Sequence, residues 1–144
     1  MNKLFKAFQT DKNFEKQGIT IEYPGARIKV ARAGGANANF AKVLERLTRP
    51  YKRAIANDTI DPETSTQIMR ECYAQAVVMR WESQKEDGEW VDGVMNVDGD
   101  IIPATIDNIV QIFKDLPDLF IDLQQQAGKA ALFLKDIDLE DAKN

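Results

Sequence analysis

The sequence predicts an α+β fold: a helix-rich single domain with five or six helices and two small β-hairpins. Three observations carry this. Residues 18–32 alternate apolar and polar side chains about Pro24-Gly25. Asp61-Pro62-Glu63 opens a long stretch of helical periodicity, and Leu116-Pro117-Asp118 separates two amphipathic runs near the end. The length of 144 residues fits one domain over 1–134, with 1–14 as a loose amphipathic segment and 135–144 as an acidic mobile tail.

The elements follow in order. Leu4, Phe5 and Phe8 stand at helical spacing with Lys3 and Lys6 between them, a short basic amphipathic piece. Ile19, Ile21 and Tyr23 alternate with Thr20 and Glu22; Ile28 and Val30 alternate with Arg27 and Lys29. Proline presets the first central position of a type II turn between these strands, and glycine accepts the positive φ that follows. One face of the hairpin is apolar and needs a helical cover.

Gly34-Gly35 loosens the chain before Phe40, Val43, Leu44 and Leu47 mark a helix, which Pro50 interrupts. Two pieces are expected, about 38–48 and 50–57. Asp61 as N-cap and Pro62 at the first helical position start the next helix. Its stripe of Ile68, Met69, Cys72, Tyr73, Ala76, Val77 and Trp81 predicts a run to about residue 83.

Three Asp-Gly pairs punctuate 84–105, and the second hairpin is expected to turn at Asp98-Gly99. Thr105 caps a helix through Phe113. After Pro117 a last helix spaces Leu116, Phe120, Leu123, Ala127, Ala130 and Leu134 like a short coiled-coil seam.

Composition narrows function. There is no His and one Cys, so histidine triads, disulfide frameworks and most metal constellations cannot be assembled. No catalytic residue, metal ligand or cofactor is assigned, and Cys72 is read as a small buried hydrophobe. Asn96, Asp98 and Asp100 lack the flanking acids of a calcium loop, so a hairpin turn explains them better. Arg32 to Asn37 lies between a strand and a helix, as a phosphate loop would, but has neither glycine fingerprint. Apolar runs are a few residues long, short of the roughly 20 that span a membrane. The first residues lack a secretory core, so a cytoplasmic location is expected.

Charge is divided along the chain. Residues 1–60 hold 12 Lys/Arg against 5 Asp/Glu, and residues 61–144 hold 7 against 18. The division speaks of steering and association: between the halves, between copies, or with a partner. Arg46, Arg49, Lys52 and Arg53, with Tyr51 among them, form the densest basic cluster. It suits charge-mediated self-association, a solvated helix face, or phosphate contacts. The net charge of −4 weighs against nucleic acid.

The order of blocks resembles one family. Arg27-Ile28-Lys29-Val30-Ala31-Arg32 leads into Ala33-Gly34-Gly35-Ala36-Asn37-Ala38-Asn39-Phe40, then a helix ending in Trp81. An Asp-Gly turn follows with Ile101-Ile102-Pro103, and then Phe113-Lys114-Asp115-Leu116-Pro117-Asp118-Leu119-Phe120. Over about 15–134 this is similar to the tail assembly chaperones of long-tailed bacteriophages.

The resemblance implies a non-enzymatic protein of the host cytoplasm that is not retained in the mature virion. It would bind and solubilise the tape measure protein and help recruit tail tube protein, in some cases through a longer frameshifted form. Two contact surfaces are expected: Leu4, Phe5 and Phe8, and the last helix around Leu116, Phe120 and Leu123. The protein's own core competes for each of these side chains. A nucleic-acid-associated phage protein and a regulator of a host protein are the alternative readings.

Overall fold

The computed structural model describes residues 3–129. Two short helices, α1 (Lys3–Phe8) and α2 (Lys12–Gln17), lead into strands β1 (Ile19–Tyr23) and β2 (Ala26–Val30). Helix α3 (Ala38–Thr48) passes through a 3₁₀ turn (Arg49–Tyr51) into α4 (Lys52–Ala56), and α5 (Pro62–Ala76) follows. Strands β3 (Val78–Gln84), β4 (Trp90–Asp92), β5 (Val94–Met95) and β6 (Ile101–Ile102) precede helices α6 (Ile106–Asp115) and α7 (Pro117–Gly128). The fold is a single α+β domain.

Four strands form one antiparallel sheet in the order β1-β2-β3-β4, and β5 and β6 form a second. Both expected hairpins are present. Gly25 sits at φ 77° in the first turn, as a type II turn demands. The second closes through Asn96, whose Oδ1 accepts the N–H groups of Asp98 and Asp100 at 3.0 and 2.9 Å. The side chain that resembled part of a calcium loop thus holds a turn.

The third and fourth strands correct the sequence expectation. Helix α5 stops at Ala76, not near residue 83, and Trp81 lies in a strand. Val77 and Trp81 satisfy the helical stripe and, equally, the burial pattern of the chain as it enters β3. The β-branched Val77-Val78 pair lowers the cost of leaving the helix. The unpaired edge of β2 then takes Trp81 opposite Ile28 and Glu82 opposite Arg27. Pairing with a remote strand decided the matter. Pro50 acts as expected, turning α3 into the 3₁₀ step before α4.

The sheet has one apolar face. Ile21, Ile28, Val30 and Trp81 point inward beneath α5, α6 and α7. There they meet Tyr73, Val77, Ile109, Ile112, Phe113, Phe120 and Leu123. Aromatic rings run through this core. Phe40 meets Tyr73 edge-on at 5.9 Å, Tyr73 meets Phe120 at 5.5 Å, and Phe120 stacks on Phe113 at 4.7 Å. Phe113 then reaches Trp81 at 6.0 Å. Such pairs add about 0.5–1.5 kcal/mol each beyond area burial. A smaller cluster of Val43, Cys72 and Ala76 fastens α3 to α5. Cys72 is the inert buried thiol expected, pushed up to about 11 by burial.

The opposite face is polar. Arg27 pairs with Glu82 at 3.1 Å, Arg80 with Asp92 at 3.0 Å, and the Arg27 guanidinium lies 4.1 Å from the Trp90 ring centre. Phe113 is fully buried between sheet and helices. Phe113→Ala is expected to cost about 3–5 kcal/mol of unfolding free energy. The exposed Phe14→Ala should change it by less than about 0.5 kcal/mol. Urea denaturation of both variants measures the contrast.

Candidate functional surfaces

The expected contact residues separate once folded. Phe120 and Leu123 lie in the core, so the last helix does not offer them to a partner. Their 3–4 spacing marks the buried face of α7. Ala130 and Leu134, with the whole acidic tail, fall outside the described residues. Leu116 behaves differently. It sits at the corner between α6 and α7, where Pro117 begins a new helix, and remains 52% exposed.

That corner borders an open cleft of about 560 Å³. Its apolar lining comes from Trp81, Met95, Ile112, Leu116 and Leu119, against the turn residues Pro24 and Gly25. Two carboxylates, Asp118 and Asp122, stand on its α7 side. Tyr23 fixes the geometry by donating its hydroxyl to Asp122 at 2.6 Å, while Gln126 donates to the same carboxylate oxygen at 2.6 Å. Burial, with the neighbouring Asp122, pushes the Tyr23 phenol well above its ordinary value. The hydrogen bond from Tyr23 holds the Asp122 carboxyl below its own. Tyr23 therefore stays a donor, tying the first hairpin to α7.

Sequence reasoning missed Met95 and the Tyr23–Asp122–Gln126 set. The i, i+4 spacing of Asp122 and Gln126 was visible. Their meeting with a strand residue a hundred positions earlier was not.

The second surface is the amino-terminal pair of helices. In α1 no residue is buried, and Leu4 and Phe8 are 66% and 71% exposed. Helix α2 is held from inside. Glu15 is 2% exposed, and its carboxylate accepts hydrogen bonds from the Thr10 hydroxyl and the Ala36 N–H. Arg32 Nη1 adds an ion pair at 3.3 Å.

The glycines explain how the loop wraps this group. Gly35 has φ 54°, and a side chain there would collide with the Glu15 carboxylate and Arg32. Asn37 completes the loop by donating to the carbonyls of Arg32 and Ala76 at 2.9 and 2.8 Å. The strand–loop–helix resemblance to an anion cradle has a physical basis, but the anion is the protein's own Glu15.

The basic cluster is spread along α3 and α4. Arg49 and Lys52 share Glu45 at 2.6 and 3.7 Å, and Arg46 donates to Gln75. Arg53 stands exposed on α4 beside them. Arg27–Glu82 joins the basic half of the sequence to the acidic half. Among the described residues, no group of three or more His, Cys, Asp or Glu is placed to hold a metal ion. No helix there is long and apolar enough to cross a membrane.

The fold and these surfaces define a small α+β protein with an acid-flanked apolar cleft and an exposed amphipathic helix. Residues 35–144, more than half of the chain, match the YdaY prophage protein family. The chain belongs to that family and is phage-derived. The match begins inside the loop around Glu15, so α1, α2 and the first hairpin precede it. No curated protein and no solved structure matches the chain.

The Glu15 pocket has a defined acid response. Burial raises the carboxyl's pKa, but hydrogen bonds from Thr10 and Ala36 and the Arg32 charge outweigh it, leaving the value below the ordinary 4.5. Its contribution to stability is complete above that ordinary value and is lost as pH falls through the lowered one. Glu15→Gln should therefore flatten the loss of stability on the acid side of pH 4.5, as read by thermal unfolding across pH. Gly35→Ala should destabilise at every pH, by about 1 kcal/mol or more.

Proposed function

We propose that the chain is a non-enzymatic tail assembly chaperone. It acts in the host cytoplasm, binds and solubilises the tape measure protein during tail morphogenesis, and helps to recruit tail tube protein. The observation that carries this reading is the open apolar cleft at the α6–α7 corner, with Leu116 and Met95 exposed at its side. A cleft of this kind accepts successive anchors from an amphipathic helix, and the tape measure protein is a long helical client. Contact through a few side chains is weak enough to be displaced when tube subunits polymerise. No cofactor or catalytic group has a part in this scheme, and the protein leaves before the virion is complete. The block order shared with tail assembly chaperones supports the assignment, as does the phage origin of the family.

A nucleic-acid role has one observation in its favour: Tyr51 is exposed among Arg49, Lys52 and Arg53. Glu45 sits between two of those cations and weakens the phosphate site.

Co-expression separates the two. Soluble tape measure protein should rise when this chain is present and fall back with Leu116→Asp. An equally insoluble client with and without the chain would end the chaperone reading. Phosphate binding would instead show log affinity dropping steeply with log salt, and loss on Arg49→Glu with Arg53→Glu.

A further inference from the structure

The four-stranded sheet has two edges, and they differ. On one side β4 is three residues long, with Asp92 bonded to Arg80 at its end. On the other, β1 runs five residues in unbroken register with β2, from Ile19 opposite Val30 to Tyr23 opposite Ala26. Long regular edges are usually blunted by proline, lysine or a bulge, because open backbone groups there invite another strand. None of these occurs in β1, whose one charged residue is Glu22.

Backbone directions follow from the neighbouring ladder. The Gln84 N–H donates to Gly25 at 3.0 Å and the Ala31 N–H to Val77 at 2.8 Å, so odd-numbered residues along β2 bond toward β3. Ala26, Ile28 and Val30 therefore bond toward β1, where they meet Tyr23, Ile21 and Ile19. The N–H and C=O groups of Thr20 and Glu22 are left pointing away from the sheet. Both residues are exposed, and among the described residues no hydrogen bond outside the ladders reaches these four groups.

Two charges beside this edge are also left over. Glu22 stands opposite Arg27, and Lys29 lies between Thr20 and Arg80. Arg27, however, pairs with Glu82, and Arg80 with Asp92. Among the described residues neither Glu22 nor Lys29 has an ion pair. On the inner face Ile21 is buried while Ile19 and Tyr23 stay half-buried, so the helical cover is incomplete at both ends of β1.

This edge complements itself. Antiparallel pairing with β1 of a second copy, about a two-fold axis at Ile21, sets Thr20 opposite Glu22 as a hydrogen-bonded pair on each side of the axis. All four outward groups of each copy are then satisfied, and Ile19 falls opposite Tyr23. On the polar face Lys29 comes to lie two strands from the second copy's Glu22, about 9.5 Å away. The long lysine stem and the glutamate side chain close that gap across the small Thr20. We propose that β1 is a dimerisation edge, joining two copies of the four-stranded sheet into one continuous sheet. The contact is isologous and closes at the dimer. It goes beyond the chaperone reading and is independent of it, because association between copies is measured with no client present.

Sedimentation equilibrium of the full-length protein tests it. The wild type should pass from monomer to dimer as concentration rises and go no further. Thr20→Pro removes an outward N–H without touching the β1–β2 ladder, and should leave a monomer with unchanged circular dichroism. Glu22→Lys and Lys29→Glu should each weaken the dimer about tenfold, because two ion pairs become like-charge contacts. An equimolar mixture of these two variants should recover the wild-type affinity, since each contact again holds opposite charges. A pairing of Glu22 with Lys29 inside one copy would give no such recovery. The charge variants carry the test if Thr20→Pro does not fold. A wild type that stays monomeric or grows past the dimer overturns the proposal. So does dimerisation that survives Thr20→Pro, or a mixture no tighter than either variant alone.

Discussion

A four-stranded antiparallel sheet with one apolar face must be covered, and most of this molecule follows from how that cover is made. Ile21, Ile28, Val30 and Trp81 sit on the inner face, and α5, α6 and α7 close over them. The aromatic run from Phe40 to Trp81 crosses from α3 through all three helices to the sheet. Interiors at crystal-like density leave little freedom once such a row is seated. Placing Phe113 and Phe120 against each other fixes the angle between α6 and α7. That angle pushes Leu116 out of the core and opens the cleft beside it. The candidate contact surface is therefore a by-product of core packing at a proline-marked corner.

The amino-terminal segment depends on a different force. Burying a carboxylate is expensive unless hydrogen bonds and a counter-charge meet it. Glu15 receives the Thr10 hydroxyl, the Ala36 amide and Arg32. The positive φ of Gly35 lets the backbone come close enough to supply the amide. This small polar centre fastens α2 to the loop before α3. It positions α1 at the domain's edge while using none of α1's apolar side chains as core.

Charge adds a third level. On the sheet's polar face, Arg80 pairs with Asp92 and Glu82 within the acidic half, while Arg27 reaches Glu82 from the basic half. Glu45 of α3 serves Arg49 and Lys52 of the 3₁₀–α4 segment from within the basic half. Charge divided along the sequence can steer an approaching partner, and salt screens it at surface exposure.

The class of fold, both hairpins, the break at Pro50, the caps at Asp61 and Thr105 and the buried character of Cys72 were legible in the sequence. Each rests on chemistry within a few residues: turn dihedrals, capping oxygens, a missing proline donor. The end of α5 was not legible, because Val77 and Trp81 suit helix and strand alike and the choice fell to pairing with Ile28, over fifty positions away. Nor could periodicity divide one apolar stripe into Phe120 and Leu123, taken by the core, and Leu116, left at the surface. Glu15 stood among other charged residues until the Gly34-Gly35 loop closed round it. Local sequence states which side chains must avoid water or bend the chain; only the tertiary structure decides which neighbours satisfy them, because burial and charge pairing are settled between residues far apart in the chain.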